Sequence, residues 1–186
     1  MADTPRRMTV WDLPVRLLHW GLAAAVATAW ISGHWPPHDF DSVHHGAGYV
    51  ALAAVALRMA WSRMGNRYAR LSQFLRGPRA TLAYARALRA GREPRHIGHN
   101  PLGGWMAVLL WSDAAALSIT GWLYTTDWLW GYAWLEQLHA GLAWLLLALW
   151  IGHLGGVAMT SWRHRENLVA AMLSGRKRAP EGDDIG

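Results

Sequence analysis

Four histidines stand inside, or at the edge of, long apolar stretches: His19, His44, His139 and His153. Neutral imidazole is a good transition-metal ligand, and an ionisable side chain within lipid is costly enough to mark function. Spacing sharpens the picture. His139 and His153 are 14 residues apart, which on a helix is about 21 Å of rise and about 40° short of four full turns. They share one helix face at two depths. If successive apolar helices alternate in direction, His44, at the start of its stretch, lies level with His139. His19, near the start of its own, then lies level with His153. Two opposed imidazoles can hold a haem iron through both axial positions. Gly21, Gly46, Gly48, Gly141 and Gly152 stand close to these histidines and leave room for a macrocycle, although glycine also serves ordinary close helix packing. One metal ion held by all four is excluded by the separation of about 21 Å. Two separate two-histidine metal sites would lack carboxylate or thiolate ligands. The plainer alternative is that each histidine hydrogen-bonds to a neighbouring helix. His45 and His99 are boundary cases, and His34, His38, His96 and His164 fall in loops.

The elements that must position these residues are apolar segments at about 15–33, 44–62, 101–124 and 136–160, each close to the roughly 20 residues that cross a bilayer as a helix. The expected fold is an all-α integral membrane protein, a four-transmembrane-helix bundle forming a single domain over 1–178. The cations say which way it faces. All 18 lysines and arginines lie before the first segment or, for Arg16, at its start, between the second and third, after the fourth, or, for Arg58, near the end of the second. The two remaining loops have none and carry Asp39, Asp41, Asp127 and Glu136. The positive-inside rule then puts both termini and the long arginine-rich loop in the cytoplasm. The net charge of +6 follows this topology rather than a recognition helix, so a nucleic-acid partner is not expected. Arg6–Arg7, an apolar run and AVATA resemble a signal peptide, but His19 and Trp20 are out of place in a signal core, and the segment is read as a retained span. The chain has no cysteine, which excludes disulfides, iron–sulfur clusters and thiolate metal sites.

Within the long loop, Pro78 to Ala90 reads as a helix with proline in its first turn and Gly91 as its stop. Arg79, Arg86 and Arg89 share one face within about 80°, opposite Tyr84 and Leu88. Such a face suits anionic headgroups or plain solvation. RHRENLVAAMLSGRKR near the C-terminus reads the same way, and residues 179–186 read as a disordered tail. Arg58, 14 residues after His44, lies on nearly the same face at the lower level; it is expected to pair with a haem propionate or to snorkel. Asp113 sits mid-span, as a proton relay or an interhelical hydrogen-bond partner. Trp35, Trp105, Trp128, Trp130, Trp134 and Trp162 cluster near segment ends, as an interfacial belt does.

The motifs VWDLPVRLLHW, HHGAGY and GHNPLGGWM, the fourth-segment histidine pair, and HRENLVAAMLSGRKR together resemble the bacterial cytochrome b561 family. That family includes the b-type cytochrome subunits of nickel–iron hydrogenases. The resemblance covers roughly Val10 to Arg178. It implies four helices holding two haem b groups, the outer by His44 and His139, the inner by His19 and His153. The second-helix ligand stands four residues before Gly48, which selects His44 rather than His45. The implied activity is electron transfer between membrane quinone and a periplasmic partner: a dehydrogenase, hydrogenase, cytochrome c or superoxide. The implied location is the bacterial inner membrane, among lipid, with homodimerisation left open. Two other classes remain: a haem-free anchor that docks a redox-enzyme subunit through the arginine-rich loop, and a small transporter with a histidine-lined pathway.

Overall fold

A computed structural model describes residues 6–34 and 41–186; Trp35, His38 and Asp39 lie outside the described residues. The element order is β1 (Arg7–Thr9), α1 (Leu13–His34), α2 (Asp41–Met64), α3 (Leu71–Phe74), α4 (Pro78–Arg89), α5 (Pro101–Tyr124), α6 (Ala133–Arg163), α7 (Leu168–Ser174) and β2 (Arg176–Arg178). Among the described residues the protein is helical apart from a small antiparallel pairing of β1 with β2 and an isolated parallel bridge between His96 and Ile185. Among the described residues, α1, α5 and α6 are long and apolar enough to cross a membrane. Helix α2 is 24 residues long. It carries Asp41, Arg58 and Arg63 as well as two histidines, which leaves a shorter apolar stretch than in the other three.

The chain forms two compact units. The first comprises Met1–Arg16, Trp61–Ala107 and Gly152–Gly186; the second comprises Leu17–Ala60 and Val108–Ile151. Every lysine and arginine except Arg58 belongs to the first unit.

Polar stitching holds the first unit around a small core of Val10, Trp11, Val15, Tyr68, Ala69 and Ile97. Asp12 caps the start of α1: its Oδ1 accepts the Val15 amide at 3.0 Å, satisfying one of the donors a helix start leaves open. Its Oδ2 accepts the Trp61 indole N–H at 3.1 Å and the Asn66 amide at 3.3 Å. One carboxylate thus ties the entry of α1 to the end of α2. The segment after α6 turns back through α7, capped by Asn167, whose side chain accepts the Ala170 amide at 2.9 Å. It ends at Gly175, in the left-handed region at φ 79°. A side chain there would be strained and would meet the Trp11 carbonyl at 2.5 Å. That turn releases β2 to pair with β1 in the register Arg7↔Arg178, Met8↔Lys177, Thr9↔Arg176.

The C-terminal residues differ from the expected disordered tail. Arg95, 5% exposed, pairs with Glu166 at 2.8 Å and also with Asp184. Lys177, 4% exposed, reaches Glu166 at 3.2 Å and the His96 carbonyl at 3.2 Å. The backbone then zips: the Ile97 amide donates to Ile185 O at 2.9 Å and the Ile185 amide to Arg95 O at 2.8 Å. The polar composition that reads as disorder is here the set of partners that buried cations need.

Burial alone would raise the Glu166 carboxyl, but the Arg95 hydrogen bond and the Lys177 charge outweigh it and hold the group below its ordinary value. A depressed carboxylate contributes stability that is complete above its unfolded value, about 4.3, and is lost as pH falls through the native one. The protection factors of the Ile97 and Ile185 amides should therefore hold at neutral pH and fall on acidification below the ordinary carboxylate range. Glu166→Gln should remove about 3 kcal/mol at neutral pH and flatten that dependence, measured by hydrogen exchange across a pH series.

Candidate functional site

The second unit brings His44 and His139 together. His44 lies in the first turns of α2 and His139 in the second turn of α6. Their ring centres are 6.1 Å apart and their planes are crossed at 72°. Each ring is held by its Nδ1. For His44, Nδ1 lies 2.8 Å from the Ala29 carbonyl of α1. A carbonyl only accepts, so Nδ1 carries the proton and Nε2 keeps its lone pair. For His139, Nδ1 lies 2.9 Å from Thr120 Oγ1 of α5. That hydroxyl is also 2.9 Å from Ala116 O. With its hydrogen directed to that carbonyl, Thr120 accepts from Nδ1–H, and His139 also presents Nε2. Both imidazoles therefore have the tautomer of a metal ligand whose other nitrogen is satisfied.

The space around the rings is shaped to match. A cavity of about 690 Å³ is lined by both histidines and by Trp30, Trp122, Trp144 and Leu117, within the range of about 300–1,000 Å³ usual for cofactor pockets. Gly48 also lines it, and a Cβ added there would meet nothing within 4 Å. Ser118 Oγ, 2.9 Å from Gly48 O and from Ala114 O, links α5 to α2 beside it. A haem iron bonded to two imidazoles places the ring centres about 6 Å apart, from about 2 Å per iron–nitrogen bond and about 1 Å from each nitrogen to its ring centre. The observed 6.1 Å agrees, so these residues fit the group.

The other expected site residues are placed as follows. His45 lies edge-on to His44 with ring centres 6.1 Å apart, and it is exposed where His44 is half-buried. That difference favours His44 of the two. His19 is half-buried on α1 in the second unit, edge-on to Trp20 with ring centres 5.2 Å apart. His153 is half-buried on α6 in the first unit. Arg58, 5% exposed, holds its guanidinium 5.0 Å from the centre of the Trp111 ring. Asp113 is buried in α5, and among the described residues neither of its carboxylate oxygens has a hydrogen-bond partner.

Sequence reasoning missed four parts of this site: Thr120, the Ala29 carbonyl, Gly33 and Gly121. A Cβ at Gly33 would come within 2.9 Å of the His44 ring, and one at Gly121 within 3.2 Å of the His139 ring. Neither glycine is near its histidine in sequence. A threonine inside an apolar helix ordinarily bonds its own i−4 carbonyl and carries no sign of a second task.

Long apolar helices and a cavity lined by two imidazoles are the features of a helical membrane protein with room for a cofactor. The chain belongs to the prokaryotic cytochrome b561 family, whose family model matches residues 10–175. It is similar to the probable Ni/Fe-hydrogenase B-type cytochrome subunit of Rhodobacter capsulatus, at 26% identity over 94% of this chain and 84% of that one. It is also similar to the proteins of the same description from Cupriavidus necator, at 22% identity over 89% and 85%, and from Azotobacter chroococcum, at 24% over 89% and 86%. A b-type cytochrome family implies haem b, and with it electron transfer in a bacterial membrane.

Because the Gly33 Cβ position is taken by the His44 ring, Gly33→Ala should destabilise the protein by about 1–3 kcal/mol through overpacking. In a His44→Ala background the same substitution should cost little. Thermal unfolding of the four proteins of this double-mutant cycle measures the difference.

Proposed function

We propose that the chain is a di-haem electron carrier of the bacterial inner membrane. In this reading α1, α2, α5 and α6 form a four-helix bundle with both termini cytoplasmic. His44 and His139 hold an outer haem b, and His19 and His153 hold an inner one. Electrons pass between membrane quinone and a periplasmic redox partner, a dehydrogenase, cytochrome c or superoxide. The hydrogenase descriptions of its relatives favour an enzyme subunit as that partner. The observation that carries the reading is the approach of the His44 and His139 ring centres to 6.1 Å beside a cavity of cofactor size.

Haem iron held by two imidazoles supplies a one-electron couple that needs no ligand exchange. The chain supplies the rest. A bare charge in lipid is costly, so sites at two depths, set by the 14-residue spacing of His139 and His153, divide the crossing into two shorter transfers. The Ala29 carbonyl and the Thr120 hydroxyl orient the outer imidazoles and raise their donor strength. Trp30, Trp122, Trp144 and Leu117 wall the outer site against water. Arg58, buried on α2, supplies the positive charge for a carboxylate of the inner group.

The purified protein should be red, with a reduced b-type spectrum and two haems per chain. His44→Ala and His139→Ala should remove the same haem, and His19→Ala and His153→Ala the other, read from haem-to-protein ratios and redox titration. A folded, fully loaded but colourless preparation sinks the reading, and so does loss of one and the same haem from His44→Ala and His153→Ala. Thr120→Val should keep both haems but raise the midpoint potential of the one that His44→Ala removes, because a weaker Nε2 donor favours oxidised iron less. Spectroelectrochemistry of the variant against the parent tests this.

A further inference from the structure

Helix α4 packs one face and leaves the other exposed among the described residues. Its inward side buries Tyr84, 6% exposed, edge-on to His96 with ring centres 5.2 Å apart. Its outward side carries Arg79, Arg86 and Arg89, all exposed, with Leu82, 52% exposed, inside the same arc. From Leu71 to Arg92 the chain has no acidic residue. Both ends of this helix are tied to helices long and apolar enough to cross a membrane. Just before α4, the Arg76 carbonyl accepts the indole N–H of Trp105, near the start of α5, at 3.0 Å. At its end, the Leu88 carbonyl accepts from Arg163, the last residue of α6, at 2.9 Å. Arg163 also grips Glu93 at 2.8 Å. All of these residues belong to the first unit.

These ties set the depth of α4. The 31 residues of α6 span about 46 Å, roughly the full bilayer with its headgroups. A bilayer centred on α6 would put Arg163 at the outer edge of the headgroup layer. Trp105 is a residue type that settles at the inner edge of that layer. A helix of 12 residues pinned between the two, basic along its free side and with one leucine among the arginines, has the headgroup region as its surroundings. We propose that the Arg79–Arg86–Arg89 face of α4 is a binding site for anionic phospholipid headgroups, with Leu82 reaching the acyl boundary. Three guanidiniums on one face match phosphate oxygens in charge and donor geometry. An acidic soluble protein is the other class of ligand the charge would suit, but the two ties favour lipid.

The chain has no cysteine, so Leu82→Cys carries a single spin label. The labelled protein is placed in nanodiscs of phosphatidylcholine with and without phosphatidylglycerol. With phosphatidylglycerol, the label should be immobilised and collide more with lipid-soluble oxygen than with an aqueous nickel chelate. Without it, or in the Arg79→Gln/Arg86→Gln/Arg89→Gln background, the ratio should shift severalfold toward nickel. Native mass spectrometry of the unlabelled parent should show selective retention of phosphatidylglycerol over phosphatidylcholine. If the triple variant does not fold, the lipid comparison on the parent background still decides. A label equally open to nickel in both lipids overturns the proposal, and is the result expected if an acidic protein is the true partner.

Discussion

An imidazole placed among apolar helices needs something to hold its N–H, because lipid offers no water to do so. Most of the second unit follows from meeting that need twice. His44 takes a backbone carbonyl of α1 and His139 takes a hydroxyl of α5, so four chain segments meet around two rings. The bonds do more than quiet a buried donor. By placing the proton on Nδ1 they leave Nε2 as a lone pair on each ring, and the 6.1 Å between ring centres becomes a distance that can be bridged through one metal.

Each unit is held together internally by different means. In the first, charged and polar side chains do the joining: Asp12 across α1 and α2, and Arg95, Glu166, Lys177 and Asp184 around the C-terminus. Such clusters succeed where every buried charge has its partner and water is close by. In the second, hydroxyls bond helix carbonyls: Ser118 at Ala114 and Gly48, Thr120 at Ala116, and Ser32 at Thr28. Neutral donors of that kind are cheap to bury in lipid, whereas an arginine is not. Arg58 is the exception, and its guanidinium rests on the Trp111 ring.

Much of this was legible in one sequence. The long helices were readable because lipid demands unbroken apolar runs, and the loop helix was readable from Pro78 and Gly91, which mark its ends by backbone chemistry. The closeness of His44 and His139 could be expected because helical rise and alternating direction turn sequence position into depth. The parts that stayed hidden depend on tertiary placement. Three-residue strands such as Arg7–Thr9 and Arg176–Arg178 are too short to show alternation. The tail looked unstructured because its polar residues only make sense once Arg95 and Ile97 are seen to be waiting for them. Thr120, Gly33 and Gly121 are ordinary residues in ordinary helices until the rings they touch are known.

The walls of the large cavity have an optical consequence. Trp30, Trp122 and Trp144 all line it, so three of the chain's 14 indoles stand against whatever fills that space. An occupant absorbing in the near ultraviolet or violet would accept their excitation by resonance energy transfer and darken their emission. Emptying the cavity would restore it. The protein thus carries an intrinsic fluorescence gauge of its own loading, with no dye attached.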